Sequence, residues 1–206
     1  MRNYKLYIFD LDLTAVDSLE SSKICYKAAF EACGLTFDES KTNYYLNLNL
    51  KETYLEIEAD APNCGMKFYD AFVEKSATAF AKYSKFYPEV EKVFTKIIEN
   101  NGIIAVFTNR NTHDIQALLD ANPNIGKHVS YYVGNDMVAN RKPDPEGIIK
   151  CMDRFKIANK DILYVGDSPC DFEAAKNANV DFYYIDRFNN KAVPVKEHDT
   201  LEDMVK

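Results

Sequence analysis

Apolar residues fall along this chain in two rhythms. Short unbroken runs, rich in β-branched and aromatic residues, occur at Leu6–Phe9, Ile103–Phe107, Val129–Val133, Ile162–Val165 and Phe182–Ile185. Such runs are the pattern of strands buried on both faces of a parallel sheet. Between the later ones the period changes to that of a helix. Val90, Val93, Phe94, Ile97 and Ile98 fall at i, i+3, i+4, i+7 and i+8, and Gly102 stands where a left-handed C-cap is expected. Ile115, Leu118 and Leu119 repeat that stripe, as do Ile148, Ile149, Met152 and Phe155. Strands alternating with helices through short links imply right-handed βαβ units. The predicted fold is α/β, a Rossmann-like parallel sheet core with helices on both faces.

One interval breaks this alternation. From about Leu19 to Ser84 there is no strand-like run, only helical periodicity. Tyr26, Ala29, Phe30 and Cys33 form one apolar face, closed by Gly34, and Tyr69, Phe72, Val73, Ser76 and Phe80 form another. The expectation is an inserted all-helical cap domain over residues 18–84, carried by a core of residues 1–17 and 85–206. There is no internal repeat and no low-complexity segment.

Composition narrows the function classes. A chain of 206 residues is long enough for one ordinary domain with a sizeable insertion. The formal net charge of −7 argues against a nucleic-acid partner. No apolar stretch reaches membrane-spanning length, and the N-terminus enters a strand instead of a signal-peptide core. The expected setting is cytoplasmic, with no membrane association. The five cysteines, Cys25, Cys33, Cys64, Cys151 and Cys170, form an odd set without a CxxC pair. That favours reduced thiols over a disulfide framework or a zinc site.

Ligands of open α/β sheets bind beyond the carboxyl ends of the strands, so the residues after each strand carry the chemistry. After the first come Asp10, Asp12 and Thr14; after the second, Thr108, Asn109 and Arg110. Lys142 follows the third, ahead of two prolines. The fourth is followed by Gly166, Asp167 and Asp171. Taken singly, each is an ordinary turn or cap residue. Together they bring four acids, a hydroxyl and an ammonium to one rim. Asp10, Asp12 and Asp167, with Asp171, cannot crowd together as bare anions. A hard cation resolves the repulsion, and Mg²⁺ suits a few carboxylates, several waters and a phosphate oxygen. Lys142 adds a fixed positive charge, and Thr108 with the Asn109 N–H offers a phosphate cradle at a helix start. A carboxylate can attack phosphorus, giving an aspartyl-phosphate that water cleaves. Asp10 is then the nucleophile and Asp12 the general acid and base.

These segments resemble the motifs of the haloacid dehalogenase (HAD) superfamily. "DLDLT" resembles its DxDx[TV] motif, "FTN" the second, the Lys142-Pro143 step of "RKPDP" the third and "GDSPCD" the fourth. The helical insert resembles the family's type 1 cap, which closes over substrate, and the overall pattern is similar to phosphoglycolate-phosphatase-like members. The resemblance implies a Mg²⁺-dependent phosphatase acting on a small phosphorylated metabolite. It assigns Asp10 as nucleophile, Asp12 as acid and base, and Thr108, Asn109 and Lys142 to the phosphoryl group. Mg²⁺ falls to Asp10, the Asp12 carbonyl and Asp167, with Asp171 alongside. Two positions depart from relatives, which usually carry glycine where Leu13 and Asn179 stand. Asp12 argues against the dehalogenase branch, which lacks that acid. A sugar-phosphate mutase of the same superfamily, and a non-enzymatic phospho-acceptor module, are the alternatives. For substrate recognition the candidates are Arg110, whose fork suits a carboxylate or phosphate, and Lys51 of the cap, with Asn47 or Asn49 beside it.

Overall fold

The computed structural model describes residues 2–48 and 50–205, without the side chains of Asn43, Asn47 and Lys51. The chain divides into two units, one of Met1–Val16 with Phe86–Lys206 and one of Asp17–Lys85.

In the first unit the five apolar runs are strands. They are β1 (Leu6–Phe9), β4 (Ile103–Phe107), β5 (Val129–Val133), β6 (Ile162–Gly166) and β7 (Asp181–Ile185). A two-residue edge strand, β8 (Glu197–His198), completes a sheet of order β5-β4-β1-β6-β7-β8 in which every neighbouring pair is parallel. Two further short strands, β2 (Val16–Asp17) and β3 (Lys85–Phe86), pair with each other where the chain passes between the units. Register sets where the strands stop. Leu6 lies opposite Ile103 and Ile162, and Phe9 opposite Val106 and Val165, so β1, β4 and β6 end at one level.

The sheet is buried on both faces because its side chains alternate. Tyr7, Phe9, Ile104, Val106, Leu163 and Val165 point to one face, under α5 (Val90–Glu99) and α6 (Thr112–Ala121). Leu6, Ile8, Ala105, Phe107, Ile162 and Tyr164 point to the other, under α8 (Glu146–Phe155) and α9 (Pro169–Asn177). A four-residue helix, α7 (Pro123–Gly126), sits between α6 and β5. Two details differ from the sequence expectation. After α5 the left-handed residue is Asn101 (φ 61°), not Gly102, because asparagine tolerates that conformation and the Gly102 N–H closes the turn on the Ile97 carbonyl. In α8 the core is reached by Ile148 and Cys151, whereas Ile149 is exposed.

Between β2 and β3 the second unit carries four α-helices among the described residues, α1 (Leu19–Ala32), α2 (Thr42–Asn47), α3 (Leu50–Asp60) and α4 (Gly65–Tyr83). The α1 face is the expected one: Tyr26, Ala29 and Phe30 are buried, and α1 lies along α4. Its core is largely aromatic, with the Phe30 ring edge-on to Phe68 at 5.3 Å. The α4 stripe keeps the expected phase only in part. Gly65, Phe68 and Ala79 are buried and Phe72 packs against the same core as expected, whereas Val73 is exposed. The expectation of five reduced thiols is also corrected. Cys33 and Cys64 are joined, with Cα atoms 5.7 Å apart across 31 residues of sequence, while Cys25, Cys151 and Cys170 are free. Packing of α1 on α4 creates that proximity, and nothing in the cysteine spacing announces it. Among the described residues no helix is long and apolar enough to cross a membrane.

Candidate active site

Asp10 leaves β1 with its N–H donating to the Val165 carbonyl at 2.9 Å. The chain then turns sharply, as the N–H groups of Thr14, Ala15 and Val16 converge on the Leu11 carbonyl at 3.2, 3.0 and 2.7 Å. This turn needs a left-handed residue, and Leu13 supplies it at φ 59° while its side chain is buried. A leucine can sit there, at a cost of about 1–2 kcal/mol relative to glycine's freedom. The turn directs the Thr14 hydroxyl back into the protein, where it donates to Asp167 Oδ1 at 2.8 Å.

β4 delivers Thr108, Asn109 and Arg110. Thr108 is buried, with its Oγ1 accepting weakly from the Arg110 N–H at 3.4 Å, and Asn109 is exposed. Arg110 is buried and forks onto Asp12: Nε lies 2.9 Å from Oδ2 and the terminal nitrogen 2.5 Å from Oδ1. Burial alone would weaken the guanidinium charge, but the Asp12 carboxylate outweighs it and raises the pKa further. The residue expected to meet substrate is thus engaged with the expected acid and base. The other substrate candidates, the side chains of Lys51, Asn47 and Asn49, lie outside the described residues.

Lys142 occupies the centre. Its Nζ donates to Asp10 Oδ1 and to Asp171 Oδ1, each at 2.6 Å, above the Phe107 ring. Burial would strip the proton from a lone lysine; here the two carboxylates more than compensate and push its pKa well above the ordinary value.

β6 ends at Gly166, where a Cβ would collide with the Asp171 side chain. Ser168 then caps α9 in a capping box: its Oγ accepts from the Asp171 N–H at 3.2 Å and donates to Asp171 Oδ2 at 2.6 Å. The Ser168 N–H also donates to Oδ2, at 3.1 Å, and the Tyr164 hydroxyl donates to Oδ1 at 2.8 Å. Burial pushes the Asp171 carboxyl up, yet Lys142, Ser168 and Tyr164 together hold it below the usual range.

Asp10, Asp167 and Asp171 each bring a carboxylate oxygen within 4.8 Å of the others. The Lys142 ammonium bonds two of them, Asp10 and Asp171. Burial, with the charges of Asp171 and Asp12 added and that of Lys142 opposing, pushes Asp10 up to about 7. Asp167 is driven well above its ordinary value, by burial first and then by Asp171 and Asp10. Two carboxyls so poorly compensated are what a divalent cation would correct, so the donor set fits Mg²⁺. Asp10 and Asp167 have an oxygen to offer it, whereas Asp171 already accepts from four donors.

The chain is similar to known proteins over most of its length. A family model described as haloacid dehalogenase-like hydrolase matches residues 7–185. The phosphoglycolate phosphatase of Vibrio cholerae is 28% identical over 195 residues, covering 86% of this chain and 82% of that one. Among solved structures, a haloacid dehalogenase-like hydrolase from Bacteroides fragilis superposes with a TM-score of 0.87 at 22% identity, over 98% of this chain and 100% of that one. A predicted phosphoglycolate phosphatase from Haemophilus somnus gives 0.76 at 25% identity, over 90% and 86%.

Proposed function

Since the chain belongs to the haloacid dehalogenase-like hydrolase family, we propose that it is a Mg²⁺-dependent phosphatase. It cleaves a small phosphate monoester through an aspartyl-phosphate on Asp10. The observation that carries this reading is the ammonium of Lys142 bridging Asp10 and Asp171 at 2.6 Å. It holds Asp10 Oδ1 and leaves Oδ2 without a hydrogen bond among the described residues, so the carboxylate that would be the nucleophile is still open to a ligand.

An Asp10 carboxylate oxygen attacks phosphorus and the ester oxygen departs, taking a proton from Asp12. Water then attacks the same phosphorus, Asp12 takes its proton, and phosphate and the free Asp10 carboxylate are regenerated. With Arg110 forked onto both oxygens Asp12 is an anion, the form that accepts a proton from water. To donate one it must first leave that fork and take a proton from solvent. Lys142 and Thr108, with the Asn109 N–H, hold the phosphoryl oxygens as charge develops on them. Asp10, the Asp12 carbonyl and Asp167, with Asp171 beside them, would hold Mg²⁺, which would neutralise the charge gathered there. The helical unit Asp17–Lys85 is the family's cap. The setting this reading implies is the cytoplasm, with a small phosphorylated metabolite as substrate.

The names of the relatives make 2-phosphoglycolate the first ester to test. Purified protein with Mg²⁺ should release phosphate from at least one member of a metabolite panel containing it, and should stop when the metal is chelated or Asp10 is changed to Asn. Failure to release phosphate from any ester would end the proposal.

A further inference from the structure

Tyr164 is a buried titratable residue that the proposed hydrolysis does not use. It lies mid-strand in β6, opposite Ile8 on one side and Phe182 on the other. Strand alternation sends it to the face under α8 and α9, away from its neighbours Leu163 and Val165. There its ring sits between Phe107 and Phe182, with centroids 6.3 and 6.1 Å away. It is wholly buried, so packing fixes where its hydroxyl lies. The hydroxyl is 2.8 Å from Asp171 Oδ1 and 3.4 Å from the Phe107 carbonyl, and its one proton goes to the nearer, charged acceptor.

We propose that Tyr164 is a positioning residue that fixes Asp171 and, through it, the ammonium of Lys142. Ser168 holds Oδ2 by two donors, and Tyr164 and Lys142 share Oδ1. The tyrosine is the donor on that oxygen that belongs to the sheet and not to a loop. It therefore references the carboxylate to the rigid part of the fold. Lys142 has three N–H bonds. Two are spent on Asp10 and Asp171, so the direction of the third, toward a phosphoryl oxygen, is set by where Asp171 stands. Ring packing alone would be served by phenylalanine, without the cost of burying a hydroxyl. This inference rests on the reading in which Lys142 holds the transferring group.

The test is Tyr164→Phe, which keeps the packed ring and removes one oxygen. Its kcat should fall about tenfold, as expected for losing a hydrogen bond to a charged group. KM and the half-saturating Mg²⁺ concentration should stay within about twofold, since Tyr164 reaches the phosphoryl and metal ligands only through Asp171. Phe182→Leu, which disturbs the ring packing but no hydrogen bond, should lower stability and leave kcat within about twofold. In an Asp171→Asn background Tyr164→Phe should cost little more, because the tyrosine acts through that carboxylate. Unchanged kcat in Tyr164→Phe, or an equal loss in both backgrounds, would overturn the assignment. If Asp171→Asn fails to fold, the comparison of Tyr164→Phe with Phe182→Leu decides alone. A wild-type protein that hydrolyses no ester would instead remove the functional reading beneath it.

Discussion

Replacing Asp10, the proposed nucleophile, should make the metal-free protein more stable as well as inactive. Asp10, Asp167 and Asp171 crowd one ammonium, and Asp10 is pushed from 3.8 to about 7, chiefly by burial. A carboxyl whose folded value is raised gives stability that is fully present below its unfolded value and is lost as pH rises through the folded one. The window here runs from about 4 to about 7. Above it, a shift of this size opposes folding by roughly 4 kcal/mol. Asn at position 10 carries no charge, but Lys142 loses one of its two charged partners, which costs about 1–2 kcal/mol. The net expectation for Asp10→Asn is a gain of about 2 kcal/mol at pH 8 without metal, shrinking toward pH 4. Urea denaturation across this range with a chelator present measures it directly. Adding Mg²⁺ should stabilise the wild type and narrow the difference, because on the proposed reading the ion binds the carboxylate that Asn lacks. An Asp10→Asn protein no more stable than wild type at pH 8, or a difference that ignores pH, would refute the electrostatic account of the site.

The same geometry gives two further outcomes. Lys142→Met leaves Asp10 and Asp171 buried without their counter-charge, so it should cost about 3–5 kcal/mol near neutral pH and abolish phosphate release. Because Asp171 is held below the usual range, its stabilisation is present above its unfolded value and is lost as pH falls through the folded one. The cost of Lys142→Met measured by urea denaturation should therefore shrink in acid. At the first-motif turn, Leu13→Gly and Leu13→Ala both lose a buried side chain, but only glycine is at ease at φ 59°. The glycine variant should be the more stable by about 1 kcal/mol, and an alanine variant as stable would show that the turn does not constrain this position.

The strands of the core were legible because unbroken apolar runs have few alternatives. Leu6–Phe9, Ile103–Phe107 and Val129–Val133 match residue for residue, and the other two runs each lengthen by one residue at an end. What the local pattern could not carry was tertiary. Glu197–His198 is too short and polar to read as a strand, and pairs only because β7 offers an edge. The α4 helix lies along α1, and the Cys33–Cys64 pair depends on that packing. At the site, the residue types told which groups gather but not how they share partners. Nothing in "FTNR" says that Arg110 reaches Asp12, ninety-eight residues away. Tyr164 was hidden in another way. Its spacing is that of a strand residue, and only the coordinates show its hydroxyl turned to Asp171.

If the proposed chemistry is right, phosphate passes through the Asp10 carboxylate. Protein mixed with ³²P-labelled 2-phosphoglycolate, or with whichever ester the panel selects, can be acid-quenched within one turnover and its labelled peptide mapped. Label on the peptide containing Asp10, released by hydroxylamine and absent from Asp10→Asn, is the predicted result. Turnover that never labels the protein, or a label on another residue, would contradict it.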